Sequence, residues 1–178
     1  MKRLIVLLLA LLLATLPAFA EQTDFTPYDH VILHSGNGKY VVYEFPDIML
    51  YFPVSWETTA TVEQSENGVT FYQTASLEKY QEQGLEGGGF LCELCASEDE
   101  DFRELPAYRY LGYSDSAGLH FYLVVPSDYP AYMDDEEIRA EYDEMHGQID
   151  SIVEKAQIKK NSHFYPEIIE GWTDSGRS

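Results

Sequence analysis

The chain has 178 residues, 31 acidic and 11 basic, for a formal charge of −20, and 45% of it is apolar. Such a charge repels phosphate backbones and anionic lipid surfaces, which argues against nucleic acid and charged membranes as partners. The apolar content argues against disorder, and the length suits one domain.

The first twenty residues read as an address. Met1, Lys2 and Arg3 make a positive start, Leu4 to Leu13 is an unbroken apolar run, and Pro17 breaks the helix. Ala18-Phe19-Ala20 then supplies the small residues of a cleavage site, so residues 1–20 read as a secretory signal cut after Ala20. The alternative is an uncleaved N-terminal anchor, although the run is shorter than the ~20 residues a span requires. Glu21 follows, so no lipidated cysteine stands at the new N-terminus. The expected location is secreted or extracytoplasmic. Losing Lys2 and Arg3 moves the net charge from −20 to −22.

Residues 21–30 are polar and are expected to be loose, ahead of a single domain over 31–158. Val31 to His34 and Tyr40 to Phe45 are rich in β-formers and flank Ser35-Gly36-Asn37-Gly38, which predicts a hairpin. Ile48 to Phe52 is a further strand, ended by Pro53. Thr59 to Gln64 and Val69 to Gln73 flank Asn67-Gly68, a second hairpin. Leu77 to Gln83 reads as a short helix stopped by Gly84. Phe90 to Ala96 is another strand, residues 97–101 an acidic loop, and Tyr108 to Tyr113 pairs with Leu119 to Val125 across 114–118.

The last element is the best marked. Asp134 can cap a helix, with Glu137 at the capping-box position. Ile138, Tyr142, Met145, Ile149, Ile152 and Ala156 recur at steps of three and four, which draws one apolar stripe. The tail 159–178 is less regular, although Phe164, Ile168, Ile169 and Trp172 can dock. The sum predicts an α+β fold: an antiparallel sheet of six or seven strands built from hairpins, in a sandwich, with a long C-terminal amphipathic helix packed on one face.

Cys92-Glu93-Leu94-Cys95 needs weighing in an exported chain. A redox C-x-x-C sits in the first turn of a helix, whereas Phe90, Leu91, Leu94 and Ala96 read as strand. At ~3.3 Å per residue the two cysteines stand about 10 Å apart, beyond disulfide reach, and point to opposite faces. No second pair of Cys or His completes a zinc site. Two free thiols are the expectation, with a disulfide across a bulge and a metal or redox role as alternatives.

None of His30, His34, His120, His146 and His163 has metal-helix spacing, and no nucleophile elbow or phosphate loop occurs. The acidic loop 97–101 and the cluster Asp134 to Glu137 lack the order of a calcium loop, so a solvated loop and a helix start are the plainer readings. Tyr40, Tyr43, Tyr51, Tyr108, Tyr110, Tyr113 and Tyr122 either present a carbohydrate or peptide surface or fill a sheet. No catalytic, cofactor or metal residue is assigned.

Several segments taken together carry a resemblance. They are Met49 to Trp56 (MLYFPVSW), Gly68 to Tyr72 (GVTFY), Gly87 to Leu91 (GGGFL), Leu105 to Gly112 (LPAYRYLG), Val125 to Asp128 and Glu141 to Met145. Over about residues 45–156 the series resembles an uncharacterised exported domain of Gram-positive gut clostridia. The strand-Pro-x-Trp opening and terminal helix are also similar to the PsbP-like sandwich. The first resemblance implies export and no particular activity; the second implies a sheet-and-helix architecture.

The resulting expectation is an exported, non-catalytic domain that binds an extracellular or envelope protein or glycan. The alternatives are a small envelope-directed hydrolase using carboxylates and a calcium-dependent adhesive or inhibitory module.

Overall fold

The computed structural model describes residues 27–159. The signal 1–20 with its cut after Ala20, residues 21–26 and the tail from Lys160 lie outside the described residues.

Strand β1 (Val31–His34) pairs antiparallel with β2 (Tyr40–Glu44), Val31 across Glu44 and His34 across Val41. Asn37 holds the turn: its Oδ1 accepts from Ser35 Oγ at 2.8 Å and from Lys39 N–H at 3.0 Å. Such local bonding is why asparagine favours turns. β3 (Ile48–Pro53) joins β2 and alternates buried with half-buried residues, the pattern of a strand with one core face. A single helical turn, α1 (Trp56–Thr59), then leads the chain away.

A second sheet starts with the hairpin β4 (Ala60–Gln64) and β5 (Val69–Gln73). Helix α2 (Thr74–Glu82) follows, and β6 (Phe90–Ser97) returns beside β5. Gly89 makes that return at φ +76°, where a Cβ would lie 2.6 Å from the Gln73 carbonyl oxygen. Only glycine fits there. A 3-10 turn (Asp101–Glu104) leads to β7 (Tyr108–Ser114), which forms a hairpin with β8 (Leu119–Val124). β8 inserts between β6 and β7. Helices α3 (Glu136–Gly147) and α4 (Ile149–Lys155) end in β9 (Gln157–Ile158), which pairs with β3.

The fold is α+β and its strands are antiparallel, but the expected single sheet of six or seven strands is replaced by two sheets. Their orders are β1-β2-β3-β9 and β4-β5-β6-β8-β7. The break lies at α1. Pro53 has no N–H to give, Val54 N–H closes onto Lys39 O at 3.0 Å, and Trp56 drops into the core at 3% exposure. The chain therefore leaves the first sheet there, and β9 takes the place beside β3.

The long helix also divides. Gln148 N–H donates to Met145 O, three residues back, in a tighter closure beside Gly147. The stripe survives the break, since Tyr142, Met145, Ile149, Ile152 and Ala156 are all buried. The cap is Asp135 in place of Asp134: its Oδ1 accepts from Glu137 N–H at 3.0 Å and Ile138 N–H at 3.2 Å. The short helix starts three residues before the expected Leu77, at Thr74.

The two sheets meet through aromatic rings. Phe52 stacks on Phe71 at 4.5 Å between centroids and touches Trp56 at 5.0 Å and Tyr43 at 5.2 Å. Deleting one such core ring costs about 3–5 kcal/mol. α4 lies against β3 and β7, so it bridges both sheets, and α3 lies against α2. Tyr28, from the segment expected to be loose, is buried, and its hydroxyl accepts Ala96 N–H at 2.9 Å where β5 has run out. Among the described residues no helix is long and apolar enough to cross a membrane.

Candidate functional site

A cleft of about 750 Å³ opens where the β1–β2 turn, the outer face of the first sheet and the α4–β9 corner converge. Alternation along the strands builds it. Val41, Leu50 and Phe52 face the core, so Tyr40 on β2 and Tyr51 on β3 face outward. Their rings meet edge to face at 6.4 Å and 85°, a favoured aromatic geometry. Lys155, at the end of α4, holds its ammonium 5.7 Å from the Tyr40 ring centroid and donates to Ser151 O and Ser151 Oγ.

The rim is polar. Ser35 and Asn37 come from the turn, Glu154 and Lys155 from the helix, and Gln157 from β9. Apolar ring faces beside amide, hydroxyl and charged groups suit an amphipathic ligand, one with C–H faces and hydroxyl edges.

The other tyrosines serve the fold. Tyr43 lies in the core between Phe52 and Phe71. Phe102, carried by the 3-10 turn, stacks on Tyr110 at 5.4 Å and on Tyr122 at 4.9 Å and meets Tyr108 edge-on at 5.5 Å. That makes a second apolar cluster on the outer face of the second sheet, with Phe102 1% exposed. Tyr113 leans on His120 at 4.7 Å.

Cys92 faces the core across from Phe71, and Cys95 faces the other side across from Tyr122. Both are free thiols. Burial, then the Glu93 charge, pushes the Cys95 thiol up to about 12. The wholly buried Cys92 is pushed up further by burial, Glu93 and Cys95. Burial thus disfavours the thiolate form that reaction and metal binding use.

The described histidines are dispersed. His30 meets the Tyr28 carbonyl at 2.9 Å, His34 meets Glu57 at 3.0 Å, His120 meets the Tyr110 hydroxyl at 2.9 Å, and His146 stacks on Tyr142. His163 lies outside the described residues. In the acidic loop, Asp101 accepts from Ser97 Oγ at 2.9 Å and Glu100 pairs with Arg103 at 2.8 Å. No group of three or more His, Cys, Asp or Glu able to hold a metal occurs among the described residues. Glu93 has its carboxyl pushed up by burial, against a lowering Thr70 hydrogen bond. It sits on the outer face of the second sheet, away from the cleft. Among the described residues the cleft itself is lined by one carboxylate, Glu154.

The strand assignments alone placed Tyr40 and Tyr51, but nothing in the sequence indicated that Lys155 and Gln157 would join them. The chain matches no known protein family, no curated protein and no solved structure.

Proposed function

We propose that this is an exported, non-catalytic domain that binds an envelope or extracellular glycan in the Tyr40–Tyr51 cleft. The observation that carries the reading is the pair of outward tyrosine rings set in a polar rim of Ser35, Asn37, Lys155 and Gln157. Ring faces take the C–H surface of a sugar, while amides and hydroxyls take its hydroxyl groups. Export rests on the Lys2-Arg3 start, the Leu4 to Leu13 run and the Ala18-Phe19-Ala20 end. A binding role in place of hydrolysis is supported by the single carboxylate that lines the cleft among the described residues, because glycoside hydrolysis uses two.

The test is titration calorimetry of the secreted protein against soluble cell-wall polysaccharide and peptidoglycan fragments. Tyr51→Ala should weaken binding roughly tenfold or more, about 1.4 kcal/mol, with an unchanged melting temperature. Release of reducing ends by the wild-type protein would move it to the hydrolases. Absence of saturable binding to any of these glycans would remove the reading.

A further inference from the structure

Strand β1 is an edge of the first sheet, and all four of its residues are exposed, with Val31 at 55%, Ile32 at 53% and Leu33 at 46%. Natural edges are blunted by lysine, proline, a bulge or a covering element. β1 has none of these among the described residues. The edges of the second sheet are treated differently. β7 is overlaid by Ile158 at Gly112 and tied to α4 through Arg109 and Asp150 at 2.9 Å. β4 ends in the exposed polar pair Glu63-Gln64.

The direction of the free backbone groups follows from two sets of bonds. Ser35 N–H donates to Tyr40 O at 2.9 Å, which makes Ser35–Tyr40 a bonded pair. Antiparallel ladders alternate, so Leu33 and Val31 also turn their backbone toward β2, while Ile32 and His34 turn theirs away. On the other side of β2, Phe45 N–H to Ile48 O and Val54 N–H to Lys39 O commit the odd-numbered residues to β3. That leaves Tyr40, Val42 and Glu44 for β1, in agreement. Ile32 and His34 therefore present two N–H and two C=O groups to whatever lies beside them.

Charge narrows the occupant. The strand lies between Asp29, just before it, and Glu57 against His34, with the Lys159–Glu44 ion pair across from Val31, on a chain of formal charge −20. A second copy would bring the same charge again. We infer that β1 is a strand-addition site for an extended polypeptide segment in which apolar and basic residues alternate. Main-chain bonds to Ile32 and His34 supply the pairing, the Val31, Ile32 and Leu33 side chains supply apolar contact, and the field of the domain selects cations.

The experiment uses the secreted protein and a fluorescein-labelled peptide of alternating lysine and valine, followed by anisotropy. Saturable binding is expected, weakened roughly tenfold or more between low and high salt. Ile32→Pro removes an outward N–H that β2 does not use, so the fold should hold while binding falls roughly tenfold or more. Ile32→Val keeps the N–H and should bind within about twofold. Amide exchange in the wild-type protein gives the second readout: the Ile32 and His34 amides should become protected when the peptide is added. Equal binding by Ile32→Pro, equal binding of an alternating glutamate–valine peptide, or no new protection would overturn the inference. So would protection already present in the free protein. Loss of that protection on removing 160–178 would assign the edge to the chain's own tail, and a dimer in sedimentation would assign it to a second copy.

Discussion

Gln73 is wholly buried at the end of β5 and joins four parts of the chain. Its Nε2 donates to Ile138 O and to Glu141 Oε1, each at 2.8 Å, and its Oε1 accepts from Ser76 Oγ at 2.5 Å. Ser76 Oγ in turn accepts Tyr132 N–H at 2.9 Å. Gln73→Leu keeps the volume and removes all three bonds made by the amide. Each bond is worth about 1 kcal/mol net, somewhat more where a buried partner is left unpaired, so the loss should be roughly 3 kcal/mol. For a domain of this size that lowers the melting temperature by about 6–12 °C. Ser76→Ala strands the Gln73 oxygen and the Tyr132 N–H and should cost about 2 kcal/mol. The double variant should cost less than the sum by about 1 kcal/mol, because one bond is counted in both singles. Chemical denaturation of the four proteins measures the cycle. Strict additivity, or a Gln73→Leu cost below about 0.5 kcal/mol, would refute the claim that this network ties α2 and α3 to the second sheet.

The thiols give a kinetic test. With Cys95 pushed up to about 12, its thiolate fraction at pH 8 is about 10⁻⁴, so native alkylation should run roughly a thousandfold slower than for a free cysteine. Two thiols per chain should react after denaturation; fewer would mean a disulfide in place of the free pair. Glu93 provides a pH test. Its folded pKa is raised, so from the ordinary carboxylate range upward to the folded value the native state binds more protons, and stability falls as pH rises through that window. Glu93→Gln should therefore raise the melting temperature at pH 7 and have less effect at pH 4. An equal effect at both, measured by calorimetry, would show that charge burial is not the cause.

Local chemistry was readable where it is self-sufficient. Asn37 bonding its own turn, the alternation of β3 and the stripe from Tyr142 to Ala156 need no distant partner, and each was visible in order and type. The opposite facing of Cys92 and Cys95 follows from the two-residue period of a strand, whatever that strand pairs with. The helix cap slipped from Asp134 to Asp135 because adjacent carboxylates are equivalent until the helix start is positioned by packing.

Partners distant in sequence were not readable. Nothing local told β3 to take β9 as its neighbour, or β8 to enter between β6 and β7. Those choices depend on burying Phe52 against Phe71 and on Trp56 turning the chain between sheets, contacts that exist only after both sheets have formed. The cleft has the same origin: Tyr40 and Tyr51 are outward by alternation, but Lys155 and Gln157 arrive through α4 and β9. Sequence by itself determined the antiparallel α+β class, the turns, the apolar stripe and the formal net charge. Tertiary structure decided the division into two sheets, the edge position of β1 and the cleft, because hydrophobic burial and ladder pairing reward whichever distant segments fit together.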